Sequence, residues 1–222
     1  MASRPGLSRK QKQARTRAAL MRSAATVAAR RGIERASIDE VAQGAGFTKG
    51  AFYANFRSKE ELFLAMLDER FAERLDELDS ALASGEEPVE QARQAGADLM
   101  RAIAADPEWE RLFFEFAVHA VREPAFRGEL VARQRAMRAR VAELLERRVR
   151  ELGIEPAVAP SQVAAMAFAM DNGVALERLL EPEAVPDALL PTMMAAFFSG
   201  LPAQAGSQQP SARPGRSSAG AG

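Results

Sequence analysis

Cysteine is absent from this chain of 222 residues, and histidine occurs once, as His119. Without cysteine there is no disulfide framework, no thiolate chemistry and no cysteine metal ligand. A single histidine also excludes a His–His or His–Cys metal site within the chain. We therefore expect no metal and no cofactor, and the lack of disulfides is compatible with a cytoplasmic protein.

Long apolar runs and enzyme signatures are missing as well. The longest apolar stretch, residues 163–170, is far shorter than the roughly 20 residues that span a membrane. No apolar segment follows the basic N-terminus, so a signal peptide is not expected. Neither H-E-x-x-H nor G-x-S-x-G occurs, and these are common marks of metalloproteases and of hydrolases. The sequence predicts a protein that is not an enzyme.

The chain has no net charge, because 30 Lys and Arg balance 30 Asp and Glu, but the charges are segregated along the sequence. Residues 1–57 hold 12 basic and 3 acidic side chains, whereas residues 58–222 hold 18 basic and 27 acidic ones. Such asymmetry predicts an end that faces nucleic acid, joined to a body that does not. A solvated basic tail would give the same count.

Residues 37–59 predict two short helices joined by a turn. Ser37 and Glu40 have the spacing of a capping box, and Gly44 and Gly46 end the first helix because glycine tolerates a left-handed turn. A second helix, capped by Thr48, would run to residue 56. Four of its residues would face outward: Lys49, Gly50, Tyr53 and Asn55. This is a helix-turn-helix unit, whose second helix enters the DNA major groove.

The candidate DNA contacts follow from side-chain chemistry. Lys49 and Asn55 can donate to guanine and pair with adenine, respectively, with Ala51 beside them, while Gly50 lets the backbone approach closely. Tyr53 and Lys59 suit phosphate contacts, although Tyr53 could instead pack between helices. The predicted DNA-binding residues are Ser37, Thr48, Lys49, Gly50, Ala51, Tyr53, Asn55 and Lys59.

The stretch from residue 33 to residue 67 closely resembles the DNA-binding domain of the TetR family of bacterial regulators. The matching segments are SIDEVA at 37–42, AGFTKGAFYANF at 45–56 and SKEEL at 58–62. The resemblance implies phosphate contacts at the positions of Tyr53 and Lys59, a homodimer, and repression more often than activation. It says almost nothing about the small-molecule effector.

The rest of the chain predicts helices only. We expect an all-α fold of about nine helices, with a three-helix DNA-binding domain at 1–57, including a mobile basic arm at 1–9. A helical bundle for ligand binding and dimerisation would follow at 58–202, with a disordered tail at 203–222. Ser161 would cap a helix running to about residue 181, and another would cover 186–200. Both are apolar on nearly every face, which predicts a dimer interface in addition to core contacts.

Aromatic and methionine side chains on the central helices are the candidates for an effector site, although most such residues are simply core. The predicted ligand-binding residues are Met100, Trp109, Phe113, Phe116, His119, Met166 and Met170. Asp171 and Asn172 are polar groups in apolar surroundings, which would either orient a ligand or satisfy the backbone.

Together these features predict a ligand-responsive DNA-binding regulator. It would be a repressor that binds a palindromic operator as a dimer and is released by a lipophilic small molecule. Two alternatives remain: a helical bundle that binds small molecules without an operator, and a helical enzyme using a cavity carboxylate such as Glu115, for example paired with Asp171.

Overall fold

The computed structural model of the chain describes residues 8–32, 35–84, 86–200 and 203–204. The α-helices of this described part are α1 Arg9–Arg31, α2 Ile38–Gly44, α3 Lys49–Tyr53, α4 Lys59–Leu82, α5 Pro88–Ala105, α6 Pro107–Arg122, α7 Pro124–Leu152, α8 Pro160–Leu180 and α9 Leu189–Ser199. A 3-10 turn at Pro182–Ala184 and two short strands, β1 Glu155–Pro156 and β2 Ala203–Gln204, complete it. The predicted all-α class is confirmed. Within these residues, no helix combines the length and apolarity that crossing a membrane requires.

Local capping fixes the starts of several helices. The Ser37 hydroxyl accepts from the backbone N–H of Glu40 at 3.1 Å, and the Glu40 carboxylate accepts from the backbone N–H of Ser37 at 3.1 Å. The predicted capping box is therefore formed, and these bonds lower the pKa of Glu40. Asp106 caps α6 by accepting from the N–H of Trp109 at 3.0 Å.

Some boundaries differ from the prediction. α8 begins at Pro160, so Ser161 lies inside the first turn and does not cap the helix. α9 begins at Leu189 rather than near 186, because the chain first forms the 3-10 turn and a short connection. At the other end of the chain, Ser8 caps α1 and Arg9 begins it, whereas residues 1–7 of the predicted arm lie outside the described residues.

The start of the predicted disordered tail is paired. Ala203 and Gln204 form an antiparallel pairing with Pro156 and Glu155, respectively, in the connection between α7 and α8. A two-residue pairing carries no sequence periodicity, so the pattern of side chains could not predict it. The remaining residues of that predicted tail, 205–222, lie outside the described part.

The first core belongs to the helix-turn-helix region. Phe52 and Phe56 are fully buried and pack with Leu20 of α1, Val41 of α2 and Leu62 of α4. Since each helix contributes to this small core, the orientation of α3 is fixed by side chains on all of its neighbours.

A second core, which we call the aromatic seam, joins this region to the body. It consists of Phe63 in α4, Trp109 and Phe116 in α6, and Phe126 in α7, with Ala28 of α1 packed against them. The rings of Phe63 and Phe116 are stacked with centroids 3.4 Å apart. The seam therefore crosses the predicted domain boundary at residue 57.

The last two long helices close the body. α9 packs closely against α5, and α8 packs against α7. α8 is buried on one side and leaves one apolar stripe uncovered in the single chain. The large residues of that stripe are Met166, 44% exposed, Leu176, 41% exposed, and Leu180, 72% exposed.

Candidate nucleic-acid interface and cavity

The turn between α2 and α3 depends on two glycines. Gly46 has a φ of 76°, in the left-handed region that glycine adopts without strain,. Gly44 ends α2 against α1, where an added Cβ would lie 2.5 Å from the Ser23 hydroxyl oxygen. That hydroxyl donates to the Val41 carbonyl at 2.8 Å. The turn thus brings α3 across α2 at a fixed angle, as in a helix-turn-helix.

α3 presents its N-terminal half to solvent. The Thr48 hydroxyl caps it, accepting from the N–H of Ala51 at 3.3 Å. Lys49, Gly50 and Tyr53 are exposed, as predicted. Tyr53 is 51% exposed, and its ring lies edge-on to Phe52 with centroids 5.6 Å apart. Regular α-helix ends at Tyr53, earlier than predicted, although the N–H of Phe56 still donates to the Phe52 carbonyl.

Lys49 is held by an acidic neighbour. Its ammonium lies 2.9 Å from the Asp39 carboxylate, and both side chains are 53% exposed. The hydrogen bond and charge of Asp39 raise the pKa of Lys49. Because an exposed ion pair is worth little in water, Lys49 can exchange Asp39 for a base edge or a phosphate at small cost.

Asn55 does not face outward as predicted. Its amide nitrogen donates to the Ala51 carbonyl at 2.8 Å, and its Oδ1 is buried with no hydrogen-bond partner among the described residues. The Asn55 backbone carbonyl accepts from the Arg17 guanidinium at 3.0 Å, and that guanidinium lies 4.1 Å from the centre of the Phe56 ring. Arg17 of α1 therefore supports the end of α3, and Asn55 is part of that support.

Lys59 and Ser37 lie at neighbouring helix starts. The Lys59 ammonium donates to the Ala36 carbonyl at 2.9 Å and is part-buried. Ser37 is exposed at the N-terminus of α2, where its hydroxyl is bonded to Glu40. Backbone N–H groups at helix N-termini favour anions, so this edge suits phosphate contacts.

A cavity of about 500 Å³ lies in the body, lined mainly by apolar residues of α4, α5, α7 and α8 and of the connection before α8. Leu78, Leu99, Val141 and Phe168 form part of its apolar wall. This is the size range of small-molecule sites, and cavities between bundle helices are common places for them. Asp171, which the sequence marked as a polar group in apolar surroundings, lines it.

The seven predicted ligand-binding residues lie elsewhere. Trp109, Phe113 and Phe116 pack in or against the aromatic seam, while Met100 and Met170 pack in the core between α5, α8 and α9. Met166 belongs to the exposed stripe of α8. His119 lies 3.8 Å from Glu60, with its ring against Phe126. None of these seven described residues lines the 500 Å³ cavity.

One end of the cavity carries buried charges, of which the sequence pointed only to Asp171. Arg74 and Asp171 line it, and both interact electrostatically with Glu110 of α6, which is 8% exposed. Burial raises the pKa of Glu110 to about 7, with the charge of Asp171 adding to the effect. Burial also raises the pKa of Asp171 to about 6, against the opposing charge of Arg74. The carboxylate that interacts electrostatically with Asp171 is therefore Glu110. Glu115, which the sequence offered as its partner, lies beside Gly32 instead.

The sequence could have identified Arg74 as a buried charge from its position in α4. It follows Phe71 by three residues and precedes Leu78 by four, so it stands on the apolar stripe of α4 rather than on the solvated face. A charged residue in such a stripe indicates either a buried ion pair or a cavity.

The fold and the exposed second helix of a helix-turn-helix define a DNA-binding protein, and comparison with known proteins gives its family. Residues 20–66 match the model of the bacterial regulatory proteins of the tetR family, and residues 88–203 match the C-terminal domain of BetI-type transcriptional repressors. The chain belongs to the TetR family of bacterial regulators. This confirms the predicted function of a DNA-binding transcriptional repressor.

Solved structures agree with the fold. The fatty acid degradation regulator FadR from Bacillus halodurans is 16% identical with a TM-score of 0.70, covering 89% of this chain and 97% of that one. A transcriptional regulator from Rhodococcus sp. Rha1 is 26% identical with a TM-score of 0.63, covering 84% and 94%. SmeT, the repressor of a Stenotrophomonas maltophilia multidrug efflux pump, has in its triclosan complex 21% identity and a TM-score of 0.60, covering 92% and 99%.

Proposed function

We propose that the protein binds a palindromic operator as a homodimer and releases it when a lipophilic small molecule fills the cavity. The observation that carries this proposal is the continuity of α4. Its first residue, Lys59, donates to the Ala36 carbonyl in the DNA-binding region, and Arg74 farther along lines the cavity. At about 1.5 Å per residue these points are about 22 Å apart. One helix therefore connects the cavity with the DNA-binding surface.

The ligand would act by differential affinity. A small molecule releases DNA only if it binds more tightly to the conformation whose two recognition helices no longer match the operator. In a dimer of helix-turn-helix proteins, these helices must lie about 34 Å apart to enter successive major grooves. Arg74 and Glu77 of α4 line the cavity. A shift of α4 at these residues would move the DNA-binding domain and so change the distance between the two recognition helices.

The proposed DNA surface has three roles. Lys49 and Ala51 face base edges, with Gly50 allowing close approach, while Thr48 and the helix start at Ser37 contact the backbone. Tyr53 and Lys59 contact phosphates. Asn55 supports the end of α3, because its amide donates to the Ala51 carbonyl of that helix. We assign DNA binding to residues 1–57, and ligand binding and dimerisation to residues 58–202.

The dimer interface is proposed on α8 and α9, within residues 161–181 and 186–200. The exposed stripe of α8 repeats at spacings of three and four residues: Met166, Ala169, Gly173, Leu176 and Leu180. A stripe of this kind packs against a helix, and a twofold axis through it would bring two copies of α8 and α9 into a four-helix contact.

We further propose that the protein acts by binding alone, without catalysis, and that it works in the bacterial cytoplasm, where its DNA is. The regulator family supports both statements. Among the structural neighbours, SmeT is known in complex with triclosan, which supports a lipophilic effector for a cavity of this kind.

The test is an electrophoretic mobility shift with the intergenic DNA upstream of the protein's own gene, against random DNA of equal length. We expect specific retardation whose affinity falls steeply with salt, because lysine and arginine contacts release counterions from phosphates. Weak retardation that is equal on both DNAs would contradict operator binding. That result would favour the alternative of a ligand-binding bundle without an operator.

A further inference from the structure

Asp39 is an acidic residue in a region that is otherwise strongly basic. Residues 1–57 hold three acidic side chains, Glu34, Asp39 and Glu40. Glu40 forms the capping box of α2 and lies 2.7 Å from the Arg31 guanidinium, whereas Glu34 lies outside the described residues. Within the described part of this region, Asp39 is therefore the one acid that takes no part in a helix cap.

The Asp39 carboxylate lies beside Lys49, the residue that we assign to the base edges of DNA. Its Oδ2 is 2.9 Å from the Lys49 ammonium across the turn between α2 and α3, and each side chain is 53% exposed. Among the described residues, neither charged group has another ion pair. A negative charge thus lies within the DNA-binding surface itself, next to a cation that meets different acceptors on different DNA sequences.

DNA offers Lys49 acceptors of two kinds. A phosphate is negatively charged, whereas the O6 and N7 atoms of guanine are neutral acceptors in the major groove. An ammonium has several N–H donors, so Lys49 can donate to guanine and keep its bond with Asp39. A phosphate in the same place would bring a second negative charge close to the carboxylate, and like charges repel each other. Asp39 therefore disfavours a phosphate contact of Lys49 more than a base contact.

We propose that Asp39 is a specificity-determining residue, which keeps Lys49 from binding phosphates on random DNA and leaves it available for a base edge of the operator. This inference rests on the proposed function, in which Lys49 faces the bases. Repulsion directed against the wrong partner is one of the ways in which a binding surface gains specificity. Because random sites in a genome far outnumber the operator, weaker binding to random DNA raises the occupancy of the operator.

The test compares the wild type with Asp39→Asn on the upstream intergenic DNA that carries the operator and on random DNA of equal length. Fluorescence anisotropy at several salt concentrations gives the dissociation constants and their salt dependence. We expect Asp39→Asn to bind random DNA roughly three- to fivefold more tightly, and the operator less than about twofold more tightly. On random DNA alone, the slope of log affinity against log salt should steepen by about 0.9, the value for one more phosphate contact.

Two controls locate the effect. Asp76→Asn removes the same charge from an exposed position of α4, outside the DNA-binding region, and should leave both affinities unchanged. In a Lys49→Ala background, Asp39→Asn should change binding to random DNA by less than about twofold and leave the salt slope as it was, because the cation that Asp39 holds is gone. A full effect of Asp39→Asn without Lys49 would overturn the proposal, since the carboxylate would then act only as a general repulsive charge.

The remaining outcomes separate this inference from the proposed function. Equal tightening on both DNAs, or no change on either, would overturn the role given to Asp39 while operator binding still holds. Weaker operator binding by Asp39→Asn would overturn it as well, because Asp39 would then contribute to the operator contact. A wild type that binds both DNAs equally would overturn operator binding and this inference with it. Circular dichroism checks that each variant keeps the native helix content.

Discussion

Gly96 of α5 and Pro191 of α9 meet backbone to backbone. A Cβ atom on Gly96 would lie 2.8 Å from the Cα of Pro191 and 2.9 Å from the Leu190 carbonyl oxygen. Both neighbours are backbone atoms, which cannot turn aside as a flexible side chain does. The closeness of α5 and α9 therefore depends on the absence of a side chain at residue 96.

Gly96→Ala is expected to destabilise the protein. Alanine gains about 1 kcal/mol in helix propensity, but the added methyl group overpacks the contact at a cost of about 1–3 kcal/mol. Gly128→Ala is the control, because a Cβ on this glycine of α7 has nothing within 4 Å; it should stabilise the protein by up to about 1 kcal/mol. Urea unfolding measures both. Equal gains in stability would contradict the close contact.

Arg17→Ala is expected to weaken operator binding and to lower stability by roughly 1 kcal/mol, since it removes the hydrogen bond to the Asn55 carbonyl and the contact with the Phe56 ring. Arg15→Ala removes the same charge from an exposed position of α1 and serves as the control. If both variants lose the same operator affinity in fluorescence anisotropy, Arg17 contributes only its charge.

Asp39→Asn is expected to tighten DNA binding by at most about fivefold, the scale of an exposed ion pair, because Lys49 is then free of its acidic neighbour. Lys49→Ala should instead weaken operator binding and reduce discrimination between the operator and random DNA. Anisotropy titrations on both DNAs measure this. Unchanged discrimination in Lys49→Ala would remove Lys49 from the base-reading surface.

Leu176→Arg is expected to convert the dimer to a monomer, because it places a charge in the middle of the exposed stripe of α8. Val121→Arg is the control, since Val121 of α6 is 73% exposed but lies on a different helix. Sedimentation velocity at micromolar concentration gives the mass. A wild-type monomer, or a dimeric Leu176→Arg protein, would contradict the proposed interface.

The contribution of two buried carboxyls to stability is expected to fall as pH rises from about 4 to 8. Asp171 and Glu110 have pKa values of about 6 and 7 in the folded chain and about 4 when unfolded, so the folded state holds more protons in this range. By linkage, this favourable contribution is complete below pH 4 and is lost as pH passes the folded values. Arg74 and Arg70 oppose the shift of Glu110, and Asp106 adds to it.

Asp171→Asn checks that dependence. Relative to the wild type it should be more stable at pH 8, by on the order of 2 kcal/mol, and nearly equal at pH 4, because the wild-type carboxyl is then protonated. Thermal unfolding across this range measures the difference. A constant difference at all pH values would show that Asp171 does not titrate in the folded protein.

Features that depend on a few consecutive residues were predictable from the sequence. The capping box of Ser37 and Glu40 and the cap at Thr48 are set by spacings of three residues. The structure confirms both of them. The long amphipathic helices were also predictable, because their apolar stripes repeat over many turns.

Features that depend on distant residues were not predictable. Asn55 was expected to face DNA, but its surroundings include Arg17, 38 residues earlier. The charged end of the cavity requires the distances between α4, α6 and α8, which no single stripe contains. The aromatic candidates were placed by composition alone, and composition does not tell a residue in the seam from one at a cavity.

Because of the aromatic seam, the DNA-binding domain is not suited to being exchanged between regulators. Phe63, Trp109 and Phe116 pack against Ala28 of α1. The core of the DNA-binding domain therefore includes side chains that come from the rest of the chain. A chimera joined at residue 57 would carry the DNA-binding domain of another regulator. Its surface would not be complementary to the part of the aromatic seam that the rest of this chain provides. A change of operator specificity is therefore better attempted by substituting exposed residues of α3 than by replacing the whole DNA-binding domain.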